Sequence, residues 1–183
     1  TVGGYTVTRI GLRAFTQTAL QSITFPDTVL EIVTMAVASS SINTVTFGNN
    51  SQCTTFGETA FYACANLVSI TLPNSLESIG QACFQNCSKI PSITIPASVT
   101  TFAGNAFAHC ALLDTVVFEE GIQLTSIESG TFQNCTALTS INIPDLVTTI
   151  GIICFKNCTD LTSINIPDLV TTIGIGAFQD CSG

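Results

Sequence analysis

The sequence predicts a β-rich solenoid, built from short parallel strands and short helical turns in repeats of about 23 residues. Three observations support this fold class. The phrase NCTALTSINIPDLVTTIG at 134–151 returns at 157–174 with the single change of Ala137 to Asp160. A phenylalanine preceded by a small residue recurs along the chain, and apolar residues alternate with polar ones soon after it. We therefore expect stacked copies of one unit that share a continuous core.

The phenylalanine marks one position in each repeat. Most steps between copies are 23 residues and one is 25, and Ala36-Val37 fills the position where the phenylalanine is missing. The stretch around it lacks the length and the period of an amphipathic helix, so we expect one tight helical turn there. The seven copies are Phe15, Phe61, Phe84, Phe107, Phe132, Phe155 and Phe178.

A segment of the form Leu-x-x-Ile-x-Ile follows the phenylalanine, with polar residues between the apolar ones. Alternation with a period of two predicts a half-buried β-strand. The strand should end at the next proline, because proline has no N–H to extend the ladder. Seven such segments occur, and five of them end at a proline: Pro26, Pro73, Pro96, Pro144 and Pro167.

Nine cysteines are present, and an odd number excludes a framework that pairs all of them. We expect buried free thiols that pack as small hydrophobic groups, because Ala, Val, Thr and Ser replace them in other repeats. Two alternatives are disulfides between adjacent repeats and a metal site at the C-x-x-x-C pairs Cys83/Cys87 and Cys154/Cys158. Six cysteines form a column three residues after the phenylalanine: Cys64, Cys87, Cys110, Cys135, Cys158 and Cys181.

Charge excludes several classes of partner. Only 9% of the residues are charged and the formal net charge is −8, against about 25% charged residues in typical domains. Nucleic acid requires clustered Lys and Arg, and anionic membrane surfaces attract basic segments. No apolar run approaches the roughly 18 residues that a membrane helix requires. We therefore expect no nucleic-acid binding and no membrane insertion.

Catalytic residues are not apparent. The single histidine, His109, adjoins Cys110 in an extended turn, where neighbouring side chains point apart. No nucleotide-binding or metalloprotease motif occurs. Asp27, Asp145 and Asp168 follow prolines in one column, which we interpret as solvated turn residues rather than a calcium site. The sequence thus predicts a protein that is not an enzyme and that has no cofactor and no metal.

The pattern C-x-x-L-x-S-I-x-I-P-x-x-V-x-x-I-G-x-x-A-F resembles the BspA-type leucine-rich repeat family of surface proteins over nearly the whole chain. This resemblance implies a leucine-rich repeat solenoid, with residues 1–183 as a single array of about seven to eight repeats. It also implies an extracellular or cell-surface location and a role in adhesion or binding. We expect the sequence to be a piece of a longer chain.

The outward side chains of the predicted strands are the candidate binding site, because the concave sheet of leucine-rich repeats is their usual partner-binding surface. Here that surface carries small hydroxyl and amide groups without charge. We expect an unknown protein or glycan as the partner. The candidate residues are Thr24, Thr46, Ser69, Thr71, Ser92, Thr94, Ser140, Asn142, Ser163 and Asn165.

Two alternative functions share the same surface. A low-charge ladder of Ser and Thr also resembles ice-binding solenoids, although Ser and Asn interrupt its Thr pattern. A purely structural spacer or stalk would use the same polar residues only to remain solvated.

Two further expectations concern modification and self-association. Four Asn-x-Ser/Thr sequons are possible glycosylation sites, with the simpler interpretation that Asn serves the turn: Asn49, Asn86, Asn134 and Asn157. A solenoid with open end rungs exposes apolar core and strand edges, so we expect end-to-end association of the isolated chain.

Overall fold

The computed structural model describes residues 6–183, and in this range the chain forms a parallel β-solenoid of three-sided rungs. Each rung contributes one strand to a strand face, one two-residue strand to a second face, and an eight-residue turn segment to a turn face. The 23-residue period therefore corresponds to one circuit of the solenoid, and the predicted leucine-rich repeat solenoid is confirmed.

The strand face contains the seven strands that alternation predicted. All are parallel, and polar residues face outward while apolar residues face the core. Proline follows directly after β2 and β8, which end at Phe25 and Ile95. These strands are β2 (Ser22–Phe25), β4 (Thr44–Phe47), β6 (Ser69–Ile70), β8 (Ser92–Ile95), β10 (Thr115–Phe118), β12 (Ser140–Asn142) and β14 (Ser163–Asn165).

The second face is an addition to the sequence prediction, which placed strands on one face only. Each of its strands has a polar residue followed by an Ile or Phe, and all but the last bury that apolar residue. These strands are β1 (Arg9–Ile10), β3 (Glu31–Ile32), β5 (Thr55–Phe56), β7 (Ser78–Ile79), β9 (Thr101–Phe102), β11 (Ser126–Ile127), β13 (Thr149–Ile150) and β15 (Thr172–Ile173).

The turn face corrects the expected helical turns, since residues 6–183 contain no helix. In 80–87, three successive turns join Cys83 N–H to Gly80 C=O at 3.2 Å, Gln85 N–H to Ala82 C=O at 3.2 Å, and Cys87 N–H to Phe84 C=O at 3.0 Å. Positive φ values, which a helix does not contain, recur four residues apart, as at Ala82 (52°) and Asn86 (64°).

Hydrogen bonds between rungs on the turn face all run in one direction. Ala82, Phe84 and Asn86 N–H donate to Gly104, Ala106 and Ala108 C=O of the next rung, at 3.0, 2.8 and 2.9 Å. The same three bonds join the later rungs, and two of them, from Phe15 and Gln17, join the first rung to the second. Alternate N–H groups thus close turns, and the others join rungs. The turn segments are 11–18, 33–40, 57–64, 80–87, 103–110, 128–135, 151–158 and 174–181.

The core lies between the three faces and has a continuous aromatic spine. The repeated phenylalanines from Phe61 to Phe178 stack one above the next, with ring centroids 5.1–5.9 Å apart and ring planes within 13°. Val37 fills this position in the second rung and is fully buried. Such stacking adds to the hydrophobic burial of each ring.

Two seams interrupt the sheets. Among the described strands, β6 is not paired with β8, and β10 is not paired with β12. The second seam lies in the rung whose phenylalanine step is 25 instead of 23 residues, with the longer loop at 119–123, and it also separates β9 from β11 on the second face. The turn face continues across it, as shown by the 2.9 Å bond from Phe107 N–H to Thr131 C=O. The turn face is therefore the one ladder that runs without interruption through the described rungs.

Candidate functional site

All ten candidate binding residues lie exposed on the strand face. Strand register places equivalent residues side by side, as in Ser140 beside Ser163 and Asn142 beside Asn165. The seams divide the surface into three blocks, namely β2–β4–β6, β8–β10 and β12–β14. The residues thus form columns within blocks rather than one unbroken ladder, and the interruptions disfavour the regular lattice that an ice-binding surface requires.

The hydroxyl groups of the strand face differ in how they are bonded. In the first block, the Thr24 and Thr46 hydroxyls are 2.7 Å apart and hydrogen-bond to each other. Within residues 6–183, no protein group hydrogen-bonds the side chains of Ser69, Thr71 or Ser92, nor that of Thr94. These four hydroxyls are therefore available to a ligand.

A cleft opens at the first seam, between β6 and β8, with a volume of about 300 Å³. Its polar lining consists of the Ser69, Thr71, Asn74, Ser92, Thr94 and Glu119 side chains. We call it the β6–β8 cleft. It brings together four of the sequence-predicted residues and adds Asn74 and Glu119, which sequence reasoning did not include.

Proline 91 accounts for this opening. In most other rungs the residue before the strand donates its N–H to the preceding rung, as Val68 does to Asn43 C=O at 2.9 Å and Asp114 does to Pro91 C=O at 2.9 Å, and the exception is Thr139 at the second seam. Pro91 holds this position before β8 and has no N–H to donate. An alignment of the repeats contains this signal, because a proline at that place occurs in this rung alone.

The cysteine column is buried and its thiols are hydrogen-bonded. All nine cysteines are free, and eight are fully buried, while Cys181 in the last rung is half-buried. Each thiol of the column donates to the carbonyl of the core residue at the phenylalanine position in the preceding rung, at 3.1–3.2 Å. The prediction of buried free thiols is confirmed, and the hydrogen bond is an additional role.

Burial sets the titration of most of these thiols. It raises the pKa of Cys110 and of Cys158 to about 12, because the thiolate loses its hydration. It raises the pKa of Cys53 to about 11 for the same reason. In the neighbouring pair, the adjacent Cys87 thiol lowers the pKa of Cys64, while burial raises the pKa of Cys87. Raised pKa values make thiols poor nucleophiles near neutral pH.

Three of the four sequon asparagines lie in the turn face. Asn86, Asn134 and Asn157 have φ between 60° and 64°, a left-handed conformation that Asn tolerates well. Asn157 Nδ2 donates to Asn134 Oδ1 at 2.7 Å, so these side chains also bond along the column. Asn49 differs, because it is exposed in the turn after β4.

His109 occupies the same column as these asparagines. Its φ is 62°, and its Nε2 is 3.4 Å from Asn134 Nδ2. Asp27 lies in the turn after β2, where its Oδ1 is buried against Gly48 and has no hydrogen-bond partner among the described residues. Residues 6–183 hold no group of three His, Cys, Asp or Glu side chains arranged to bind a metal ion.

Comparison with protein families finds six copies of the BspA-type leucine-rich repeat region, matched over residues 4–113 and 54–183. These matches span nearly the whole chain. A search of curated proteins returned no match.

Solved structures provide the second comparison. A leucine-rich cell surface protein from Faecalibacterium prausnitzii A2-165 is 34% identical over 90% of this chain, with a TM-score of 0.75. The chain spans 44% of that protein's length. The leucine-rich repeat protein of T. pallidum is 26% identical, with a TM-score of 0.82, and 90% of this chain covers 80% of it. A leucine-rich repeat protein from Eubacterium ventriosum, 24% identical, shares the fold over 94% of this chain and 48% of its own, with a TM-score of 0.70.

Proposed function

This chain belongs to the BspA-type leucine-rich repeat family, and from that membership we propose that it is a non-catalytic binding or adhesion module that presents its strand face to a protein or glycan. A location at the cell surface or outside the cell is part of the proposal. It is supported by the F. prausnitzii relative, which is described as a cell surface protein. No helix in the described part of the chain is long and apolar enough to cross a membrane.

The observation that carries this proposal is the exposed strand face itself. Seven strands present uncharged Ser, Thr and Asn side chains at positions that do not contribute to the core. The apolar residues between them are buried in the core, so the requirement for a stable fold explains the inward residues. The outward residues are not needed for the core and are available for binding. The proposal assigns the partner to this surface and assigns no catalytic residue.

A matched pair of triple variants tests the location of the site. Thr71, Thr94 and Asn142 changed to Lys place three bulky charges on the strand face. The control changes Gln81, Ser129 and Ile152 to Lys, which adds the same charge to exposed positions on the turn face. Partners are captured from cell-surface extracts and glycan arrays. We expect the first variant to lose binding and the second to retain it; equal binding by both would move the site away from the strand face.

The end rungs are a second place where a partner could bind. In the last rung Ile173 is 49% exposed, whereas Ile150, its equivalent one rung earlier, is fully buried. The apolar surface that a further rung would cover is therefore open. This supports our expectation of end-to-end association of the isolated chain.

A further inference from the structure

The β6–β8 cleft is held open by its own rung geometry. Pro91 removes the donor that would join β8 to β6. The same two rungs remain joined on the second face, where Ser78 pairs with Thr101. They are also joined on the turn face, where Phe84 N–H donates to Ala106 C=O at 2.8 Å. The two rungs are therefore hydrogen-bonded on two faces and separated on the strand face alone.

This geometry excludes an inserted strand as the occupant. An extended peptide between β6 and β8 would require the two edges to lie about twice the 4.7–4.9 Å strand spacing apart. The bonds on the other two faces hold the rungs at a single spacing. The occupant must therefore be a compact group that enters from the strand face and bonds side chains and backbone at the rim.

The polar lining favours a ligand rich in hydroxyl groups. The side chains of Ser69, Thr71, Ser92 and Thr94 point outward without protein partners among residues 6–183, and Asn74 adds an amide. Hydroxyl and amide groups can both donate and accept. A sugar hydroxyl needs partners of this dual kind, whereas a lipid chain would leave the lining groups without hydrogen bonds.

Charge in the cleft favours an uncharged ligand. Glu119 is its one charged lining residue in the described chain, and no basic side chain lines it. The Glu119 Oε2 atom accepts the Ala97 N–H at 3.0 Å, which fixes the carboxylate and leaves its other oxygen to accept from a hydroxyl. A fixed negative charge without a cation nearby repels phosphate, sulfate and sialic acid.

The apolar part of the lining suits the ring face of a sugar. Val68 is 47% exposed at the rim, and Leu72 and Pro96 form part of the wall. A pyranose ring presents hydroxyls at its edge and C–H groups on its faces, so it matches both parts of the lining. The volume of about 300 Å³ is at the small end of the 300–1,000 Å³ range of ligand sites.

We propose that the β6–β8 cleft binds one uncharged hexose unit of a glycan. The proposal rests on the proposed function, because the cleft is part of the strand face. It narrows that function to a saccharide ligand at one seam, with Thr71 and Thr94 hydroxyls, the Asn74 amide and the Glu119 carboxylate as hydrogen-bonding groups.

The test uses variants that remove hydroxyls without changing shape. Thr71→Val with Thr94→Val is the cleft variant, and Thr44→Val with Thr115→Val is the control on the same face outside the cleft. Circular dichroism confirms that both fold. The proteins are screened on an array of neutral, sialylated and sulfated oligosaccharides, and neutral hits are titrated by calorimetry.

We expect the wild type and control to bind neutral glycans equally and the cleft variant to bind about tenfold more weakly, since two hydrogen bonds are lost. Absence of wild-type binding to any neutral glycan overturns the proposal, as does unchanged binding by the cleft variant. If a protein partner is lost from the triple lysine variant but retained by the cleft variant, the strand face remains the binding surface and the saccharide proposal fails.

Discussion

Each residue of the cysteine column combines small size with a hydrogen-bond donor. The thiol donates to the carbonyl of the preceding rung, and it is fully buried in every rung but the last. Ser40 takes the place of Cys in the second rung, where it is also small and buried, and its Oγ lies 3.4 Å from Cys64 Sγ of the following rung. Alanine would fit but would leave a buried carbonyl with one hydrogen bond fewer.

Stability at high pH depends on these thiols. Burial holds the pKa of Cys110 and Cys158 at about 12, whereas an unfolded thiol ionises near pH 8.5–9. The unfolded state therefore binds fewer protons above about pH 9, and the stability contributed by each buried thiol is lost as pH rises toward 12. We expect the free energy of unfolding to fall by about 1.4 kcal/mol per thiol for each pH unit in this window.

Urea denaturation at pH 8 and pH 10 in the presence of a reductant measures this loss. The Cys110→Ala variant is the control, because it removes one titrating group, and it should lose less stability between the two pH values than the wild type. Equal free energies of unfolding at both pH values in the wild type would contradict the burial of the thiols.

The sequons separate into two structural environments. Asn134 and Asn157 have left-handed turn conformations and hydrogen-bond each other through their side chains, whereas Asn49 is exposed. We expect expression in a eukaryotic secretory host to attach a glycan to Asn49 and to leave Asn134 and Asn157 unmodified. The Nδ2 atom of Asn157 bonds Asn134 Oδ1, and the Nδ2 atom of Asn134 lies 3.4 Å from His109 Nε2.

Peptide mapping by mass spectrometry before and after glycosidase treatment locates the glycans. Asn49→Gln should abolish the mass shift. A glycan on Asn157 would show that this asparagine is modified before the asparagine column forms.

At the scale of elements, the strand face could be predicted because its alternation extends over enough residues to be recognised. The second face could not, since two residues such as Ser78–Ile79 carry no periodicity. The prediction of helical turns was wrong because the turn segments contain residues with positive φ at regular intervals. Only the Asn and Gly residues among them indicate this conformation in the sequence. The β6–β8 cleft was missed because it depends on one absent N–H at Pro91, and its consequence appears only when rungs are stacked.

Close approach between rungs leaves little room beside some of the glycines that follow the second-face strands, although Val33, Ala103 and Glu128 hold the equivalent position in other rungs. A Cβ on Gly80 would lie 2.6 Å from Glu58 N, whereas a Cβ on Gly11 would have nothing within 4 Å. We expect Gly80→Ala to lower the free energy of unfolding by about 1–3 kcal/mol, the cost of overpacking. Gly11→Ala is the matched control and should stay within about 0.5 kcal/mol of the wild type.

Chemical denaturation of both variants measures the change in the free energy of unfolding. A shift of the denaturation midpoint with an unchanged dependence on denaturant concentration reports a change in stability. Similar midpoints for the two alanine variants would mean that the backbones separate more easily than the packed rungs suggest.

At the scale of the whole molecule, the longer loop at 119–123 coincides with a weaker contact between two parts of the array. Both strand-bearing faces lose their pairing there, and the Phe107–Phe132 stack is the widest of the spine at 5.9 Å. The turn face is the ladder that remains. We infer that local opening of the array begins at this seam, since it has the fewest backbone bonds between rungs.

Association through the end rungs follows from their exposed apolar residues. Ile175 is 83% exposed in the last turn segment and Leu12 is 63% exposed at the equivalent position of the first. We expect sedimentation velocity to show larger species as concentration rises, and Ile175→Asp to suppress them. Leu112→Asp changes a residue that is 57% exposed away from the ends and should have no effect. A single monomeric species at every concentration would contradict this expectation.

The one-way hydrogen bonds of the turn face make the array a polar rod. Within residues 6–183, Gly176, Phe178 and Asp180 present N–H groups that no carbonyl accepts, while Leu12, Ala14 and Thr16 present carbonyls that no N–H reaches. Two identical ends would place donor against donor or acceptor against acceptor on this face, so the turn faces of a two-fold symmetric pair cannot hydrogen-bond each other. A neighbouring rung, in the same chain or in another copy, continues the turn-face ladder only by joining head to tail, and repeated joining of that kind produces an open filament instead of a closed dimer.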